Sequence, residues 1–171
     1  MPSLLYAGEN DSLAIYQRDG STGDLTRTGT ASVGGKVRSF CTSPDGYRMF
    51  VATDAPAVLS FTVDQASGEL VPAEGAPVPM PLTPCFMTPD RSGRWLLVAS
   101  YNQPGHACVL SVNASGVAVG PPVSVIDDLR HTSHCIGIDA SNRFAFVPCV
   151  AAANHTNGAA APPLPTHTPT R

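Results

Sequence analysis

Ser43-Pro44-Asp45-Gly46-Tyr47-Arg48-Met49-Phe50-Val51-Ala52-Thr53 joins a tight-turn signal to a short apolar run. Pro, Asp and Gly in succession favour a reversal of the chain, and five apolar or small residues behind it suit a buried strand. Just before this stretch, Val37 to Thr42 is a second short, mostly apolar strand. After it, Asp54-Ala55-Pro56 turns the chain and Val58 to Val63 returns with alternation. Gln65 to Gly68 turns again, and Glu69 to Ala76 makes an outer strand. Pro72 and Pro77 fit that outer position, where an edge tolerates a missing donor.

The apolar run recurs. Leu4-Leu5-Tyr6-Ala7-Gly8, Leu96-Leu97-Val98-Ala99-Ser100 and Ala145-Phe146-Val147-Pro148-Cys149 stand at intervals of about 45 to 49 residues, the period of a four-stranded propeller blade. The third unit repeats the order of the second: Thr83 to Thr88, the turn Pro89-Asp90-Arg91-Ser92-Gly93, then Trp95 to Ser100, His106 to Val112 and Val117 to Val125. The first unit begins at a blade's second strand, Leu4 to Gly8, with Leu13 to Gln17 and Asp24 to Thr30 behind it. The fourth offers His134 to Ile138 and Arg143 to Val150 and then fails. Residues 151 to 171 carry Pro162, Pro163, Pro165 and Pro169 without alternation, which predicts a disordered tail. The expected fold is all-β: a partial β-propeller of three blades and part of a fourth over residues 1–150, followed by the tail.

Composition agrees. Charged residues are 13% of the chain, with 15 glycines and 17 prolines, which suits short strands joined by turns rather than long helices. A net charge of −3 without a Lys/Arg cluster argues against nucleic acid as a partner. No stretch approaches a membrane span, and Met1 to Asn10 lacks the cationic start of a signal peptide. Five cysteines without a C-x-x-C pair read as buried thiols in a reducing cytoplasm. No metal constellation has ligand spacing, and no cofactor is expected.

Three features together resemble the propeller-type 6-phosphogluconolactonases. They are Ser43-Pro44-Asp45-Gly46 before a strand, the string Val98-Ala99-Ser100-Tyr101-Asn102, and His134 about ten residues before Phe146-Val147-Pro148. The likeness covers roughly residues 4 to 150. It implies a seven-bladed ring that hydrolyses 6-phosphogluconolactone, a phosphorylated sugar lactone, in the pentose phosphate pathway. A fungal carboxymuconate cyclase of the same superfamily is the nearest rival activity. Family rings are about twice this length, and their later blades supply arginine and acidic groups to the cleft. The chain therefore resembles an N-terminal fragment, as a truncated or frame-shifted reading frame would give, and is expected to be inactive alone. A non-catalytic binding module, or a piece that self-associates through open blade faces, is the other class of reading.

Opening a lactone requires an activated water, a donor for the developing oxyanion and a partner for the phosphate. Counting five residues back from Ser43, Thr88 and Asp139 reaches Arg38, Thr83 and His134, which predicts one shared place at the start of three innermost strands. His134 matches the family histidine and would be the base; a strand-end hydrogen bond is the competing role. Tyr101 and Asn102 match the family's Tyr-Asn and would contact substrate oxygens, against a turn-stabilising role for Asn102. Arg38 is a phosphate partner by charge and position only, with a solvated surface arginine as the alternative. Arg130 and His131 precede His134 in a loop and could reach the same mouth. His106 is assigned no role.

Overall fold

The computed structural model describes residues 3–75, 77–102, 104–129 and 131–150. The expected tail at 151–171 and the candidate Arg130 lie outside the described residues. Among the described residues every regular element is a strand. The first sheet holds β1 (Ser3–Glu9), β2 (Ser12–Arg18) and β3 (Leu25–Ser32) in that order. The second holds β4 (Val37–Thr42), β5 (Arg48–Thr53), β6 (Ala57–Val63) and β7 (Leu70–Pro72), with β8 (Val78–Pro79) also paired to β6. The third runs β9 (Pro84–Pro89), β10 (Trp95–Ser100), β11 (Gly105–Val112) and β12 (Ala118–Leu129). All pairings between these strands are antiparallel meanders, one blade per repeat.

The fourth blade is a single strand pair broken by one residue. β13 (Thr132–Ser133) pairs with β16 (Cys149–Val150), and β14 (Gly137–Ile138) with β15 (Ala145–Phe146). Ser133 faces Cys149 and Gly137 faces Phe146, a register shift of one that places a bulge between the two halves. In the first blade, β1 stands at the edge of its sheet, as expected for a blade without an innermost strand.

Continuous apolar runs form here because the middle strands are covered on both faces. Met49 and Val51 of β5 point to the first blade and, with Phe61 and Val63 of β6, meet its Leu13 and Ile15 in one core. Phe50 and Ala52, their alternate neighbours, point to the third blade and pack with Met87, Leu96, Val98 and Leu110. The pattern advances one blade in β10: Leu96 and Val98 face back, while Leu97 and Ala99 face forward to Ile136. Period two thus yields a separate core between each neighbouring pair of blades.

Polar ties follow the same order. The Tyr6 hydroxyl donates to the Gly68 carbonyl at 2.7 Å, Arg48 Nε to the Ser115 carbonyl at 2.9 Å, and Arg91 Nε to the Asp139 carbonyl at 2.9 Å. Each bond runs from one blade to the backbone of the next.

The outer strands depart from the sequence reading. Instead of one strand from Glu69 to Ala76, β7 and β8 both pair with β6 on either side of a short excursion. β12 is longer than expected and reaches Leu129; its pairing skips from Val119 to Ser124 across Pro121 and Pro122. Those prolines leave the ladder where they cannot donate, and the strand resumes beyond them.

Candidate functional site

Each blade turn fixes where its innermost strand begins. The Ser43 hydroxyl accepts the Arg48 N–H at 3.0 Å, an Asp90 carboxylate oxygen the Trp95 N–H at 3.0 Å, and an Asp139 oxygen the Phe144 N–H at 2.9 Å. Ser43, Asp90 and Asp139 are therefore equivalent, and the expected alignment on Thr88 is corrected. Five residues upstream lie Arg38, Cys85 and His134, so Thr83 does not share their place. A carboxylate and a hydroxyl cap this turn equally well, so Thr88-Pro89-Asp90 imitates Ser43-Pro44-Asp45 in sequence while standing two residues out of step in space.

All three positions are bulges. The β4–β5 register shifts between Val37 and Ser39, and the β9–β10 register between Pro84 and Phe86. The shift in the fourth blade falls between Ser133 and Gly137, in the stretch that opens with His134, whose N–H donates to the Pro148 carbonyl at 3.0 Å. A bulge re-aims one side chain out of the ladder, and here it does so at the same depth in three successive inner strands.

The structure brings Tyr101 and His134 together. Their rings meet edge to face, with centroids 5.7 Å apart and planes at 84°. Tyr101 follows β10 directly and is 46% exposed; His134 is also exposed. Asn102 is half-buried and its N–H donates to the Ser100 carbonyl at 3.0 Å, which turns the chain away from the strand. Arg38 is exposed on the second blade, and no carboxylate among the described residues lies within ion-pair distance of it.

Two residues that sequence reasoning passed over hold this corner. Cys85 Sγ lies 3.4 Å from the carbonyls of Ala99 and His134 and 3.6 Å from that of Ser133, linking the bulges of the third and fourth blades. Burial pushes its thiol above the ordinary value. Alignment on Asp90 would have found it; no sequence signal marks Ser133. The fully buried Ser133 hydroxyl lies 2.7 Å from the carbonyls of both Ser100 and His106 and accepts the His106 N–H at 3.1 Å. His106 is itself buried, with Nδ1 unpartnered, and burial lowers its pKa against the opposing pull of Asp127. Its place is structural, behind the exposed Tyr101–His134 pair.

The arrangement presents an exposed imidazole, a phenol against it, an amide just past the end of β10, and a guanidinium near the start of β4 on the second blade. Among the described residues no group of three or more His, Cys, Asp or Glu is arranged to hold a metal. None of their helices is long and apolar enough to cross a membrane, a statement that leaves β-barrels aside.

Residues 4–83 match the family described as lactonase, 7-bladed beta-propeller. A 6-phosphogluconolactonase of Pectobacterium carotovorum is 30% identical over 154 residues, 88% of this chain and 44% of that protein. A 6-phosphogluconolactonase of Yersinia pestis is 31% identical over 153 residues, again 88% and 44%. The chain thus spans less than half the length of these relatives. Among solved structures, the periplasmic gluconolactonase of Pseudomonas aeruginosa superposes with a TM-score of 0.73 at 22% identity, covering 87% of this chain and 47% of that one. That likeness concerns the fold.

Proposed function

We propose that this chain, which carries lactonase-family propeller sequence, is the N-terminal part of a 6-phosphogluconolactonase-like hydrolase that opens a phosphorylated sugar lactone. The observation that carries the proposal is the match to 6-phosphogluconolactonases along 88% of the chain. The geometry of the bulge corner supports it. His134 takes a proton from water as the water oxygen attacks the lactone carbonyl carbon. The tetrahedral oxyanion accepts hydrogen bonds from the Tyr101 hydroxyl and the Asn102 side-chain amide. The ring C–O bond then breaks, and the proton held on His134 passes to the departing alkoxide. Edge-to-face packing against Tyr101 limits the tilt of the imidazole. Arg38, with Arg130 four residues before His134 in sequence, is proposed to meet the phosphate.

A second reading has its own support. Both members of the ring pair are exposed, and the relatives are more than twice as long. Preorganised catalysis requires donors fixed from several directions. We therefore propose that the chain alone is inactive, and that later blades complete the site. We propose the cytoplasm as its compartment, which suits five free cysteines, although of the expected buried thiols only Cys108 is fully buried and Cys149 is exposed.

The test is a chimera in which residues 4–150 replace the matching half of the Pectobacterium relative. Hydrolysis should exceed spontaneous ring opening, and His134→Ala should lower it by roughly 10²-fold. An unchanged rate in that variant would leave His134 a structural role only. A chimera that folds yet shows no turnover would remove the lactonase reading.

A further inference from the structure

The bulges lie at the start of the innermost strands, and the hairpin turns close their far ends. Arg38 and Ser43 bound β4 five residues apart, about 16 Å of extended chain. At the turn end, away from the candidate site, a cleft of about 940 Å³ opens between the second and third blades. Arg48, Arg91 and Arg94 line it, facing one carboxylate, that of Asp45. In a chain with a net charge of −3 the lining itself carries an excess of two positive charges; the Asp90 carboxylate behind it is bonded to Ser92 and Asn142.

The three guanidinium groups are held from behind. Arg48 Nε donates to the Ser115 carbonyl at 2.9 Å, Arg91 Nε to the Asp139 carbonyl at 2.9 Å, and Arg94 Nε to the Ser92 hydroxyl at 3.3 Å. The terminal nitrogens of Arg91 and Arg94 make no hydrogen bond among the described residues, and none of the three arginines has a carboxylate within ion-pair distance there. Asp45 is already occupied, accepting the Ser43 hydroxyl at 2.5 Å and the Tyr47 N–H at 3.0 Å, which hold its carboxyl below the ordinary value. A guanidinium fixed through Nε presents its terminal fork, the geometry that receives two oxygens of one anion. The exposed Tyr47 adds a phenol to the same wall.

We infer that this turn-side cleft is an anion site for a phosphate-bearing small molecule. A phosphate monoester carries close to two negative charges above its second ionisation, near pH 6, and so matches the excess on the lining. No histidine lines the cleft, and Asp45 remains ionised through neutral pH, so the pH response is the ligand's own. Phosphate therefore binds more tightly as pH rises from 5 to 7.5, whereas sulfate, a dianion throughout, does not.

Equilibrium dialysis of the full chain against radiolabelled inorganic phosphate tests this, because it reads binding in any state of assembly. One saturable site per chain is expected, strengthened by raising pH and matched by a pH-independent response to sulfate. Arg94→Gln and Arg91→Gln should each weaken binding about tenfold or more, and Arg18→Gln, on the first blade and outside the cleft lining, should leave it unchanged. Arg94 makes no bond to another blade, so its variant retains the fold; circular dichroism checks this. The absence of saturable binding overturns the inference. So does binding that survives in both cleft variants and disappears in Arg38→Gln, which would assign the phosphate to the candidate catalytic corner.

Discussion

Ser133 shows how much can rest on one small side chain. Its hydroxyl sits between two carbonyls and one N–H of the third blade, all buried, and it belongs to the fourth. Replacing it by alanine strands those groups without water. The expected cost is about 1–3 kcal/mol, read as a fall of roughly 2–12 °C in the melting temperature for a domain of this size. A smaller loss at the same folded spectrum would show that water enters the corner. At this scale the sequence was only partly legible. His134 and Tyr101 could be singled out by resemblance, but they lie in different blades, and only the packing of those blades makes them neighbours. Cys85 was hidden because Thr88-Pro89-Asp90 looks like Ser43-Pro44-Asp45, and hydrogen bonding rather than composition decides which residues correspond.

At the scale of the element, the hairpin turn is the unit that repeats most faithfully. Burial raises the pKa of Asp90, but bonds from Asn142, Ser92 and Trp95 pull further the other way and hold it at about 2. Asp139, on the exposed turn of the fourth blade, is also held at about 2, by Ser141 and the N–H groups of Phe144, Ser141 and Arg143. Both carboxyls are depressed below the model-compound value of 3.8, so their contribution to stability is present above about pH 4 and is lost as pH falls towards about 2. Denaturant titrations between pH 5 and 2 should show a steep decline in stability that Asp90→Asn flattens. An unchanged slope in that variant would place the acid sensitivity elsewhere. Strands of this kind were readable from sequence because turn chemistry and buried runs agree. The outer strands were not: prolines that predict an end to pairing in β12 are looped out, and Ser124 to Leu129 pair again because β11 still presents open ladder groups.

At the scale of the whole molecule, the described residues leave both ends of the row of blades uncovered. Phe144 and Phe146 of the fourth blade are 57% and 60% exposed, and Val123, Val125 and Ile126 of β12 lie exposed in the third. At the other end, β1 offers an edge with which no other described strand pairs. Apolar surface of this extent and a free edge favour contact between copies. Light scattering should show mass rising with concentration, and Phe146→Glu combined with Val125→Lys should suppress it without loss of strand signal. A monodisperse monomer of the unaltered chain would show that the exposed faces are inert.

The ties from Tyr6 to Gly68, Arg48 to Ser115 and Arg91 to Asp139 give this row a direction. In these three ties the donor is a side chain of the preceding blade and the acceptor a peptide oxygen of the following one, which every residue type possesses; at the last seam the Ser133 hydroxyl and the Asn142 amide of the fourth blade reach back as well. The donors can therefore be removed one seam at a time without altering the blade they grip. Seam strength becomes an independently adjustable quantity, and slow amide exchange should report separate opening energies along the row rather than one common value.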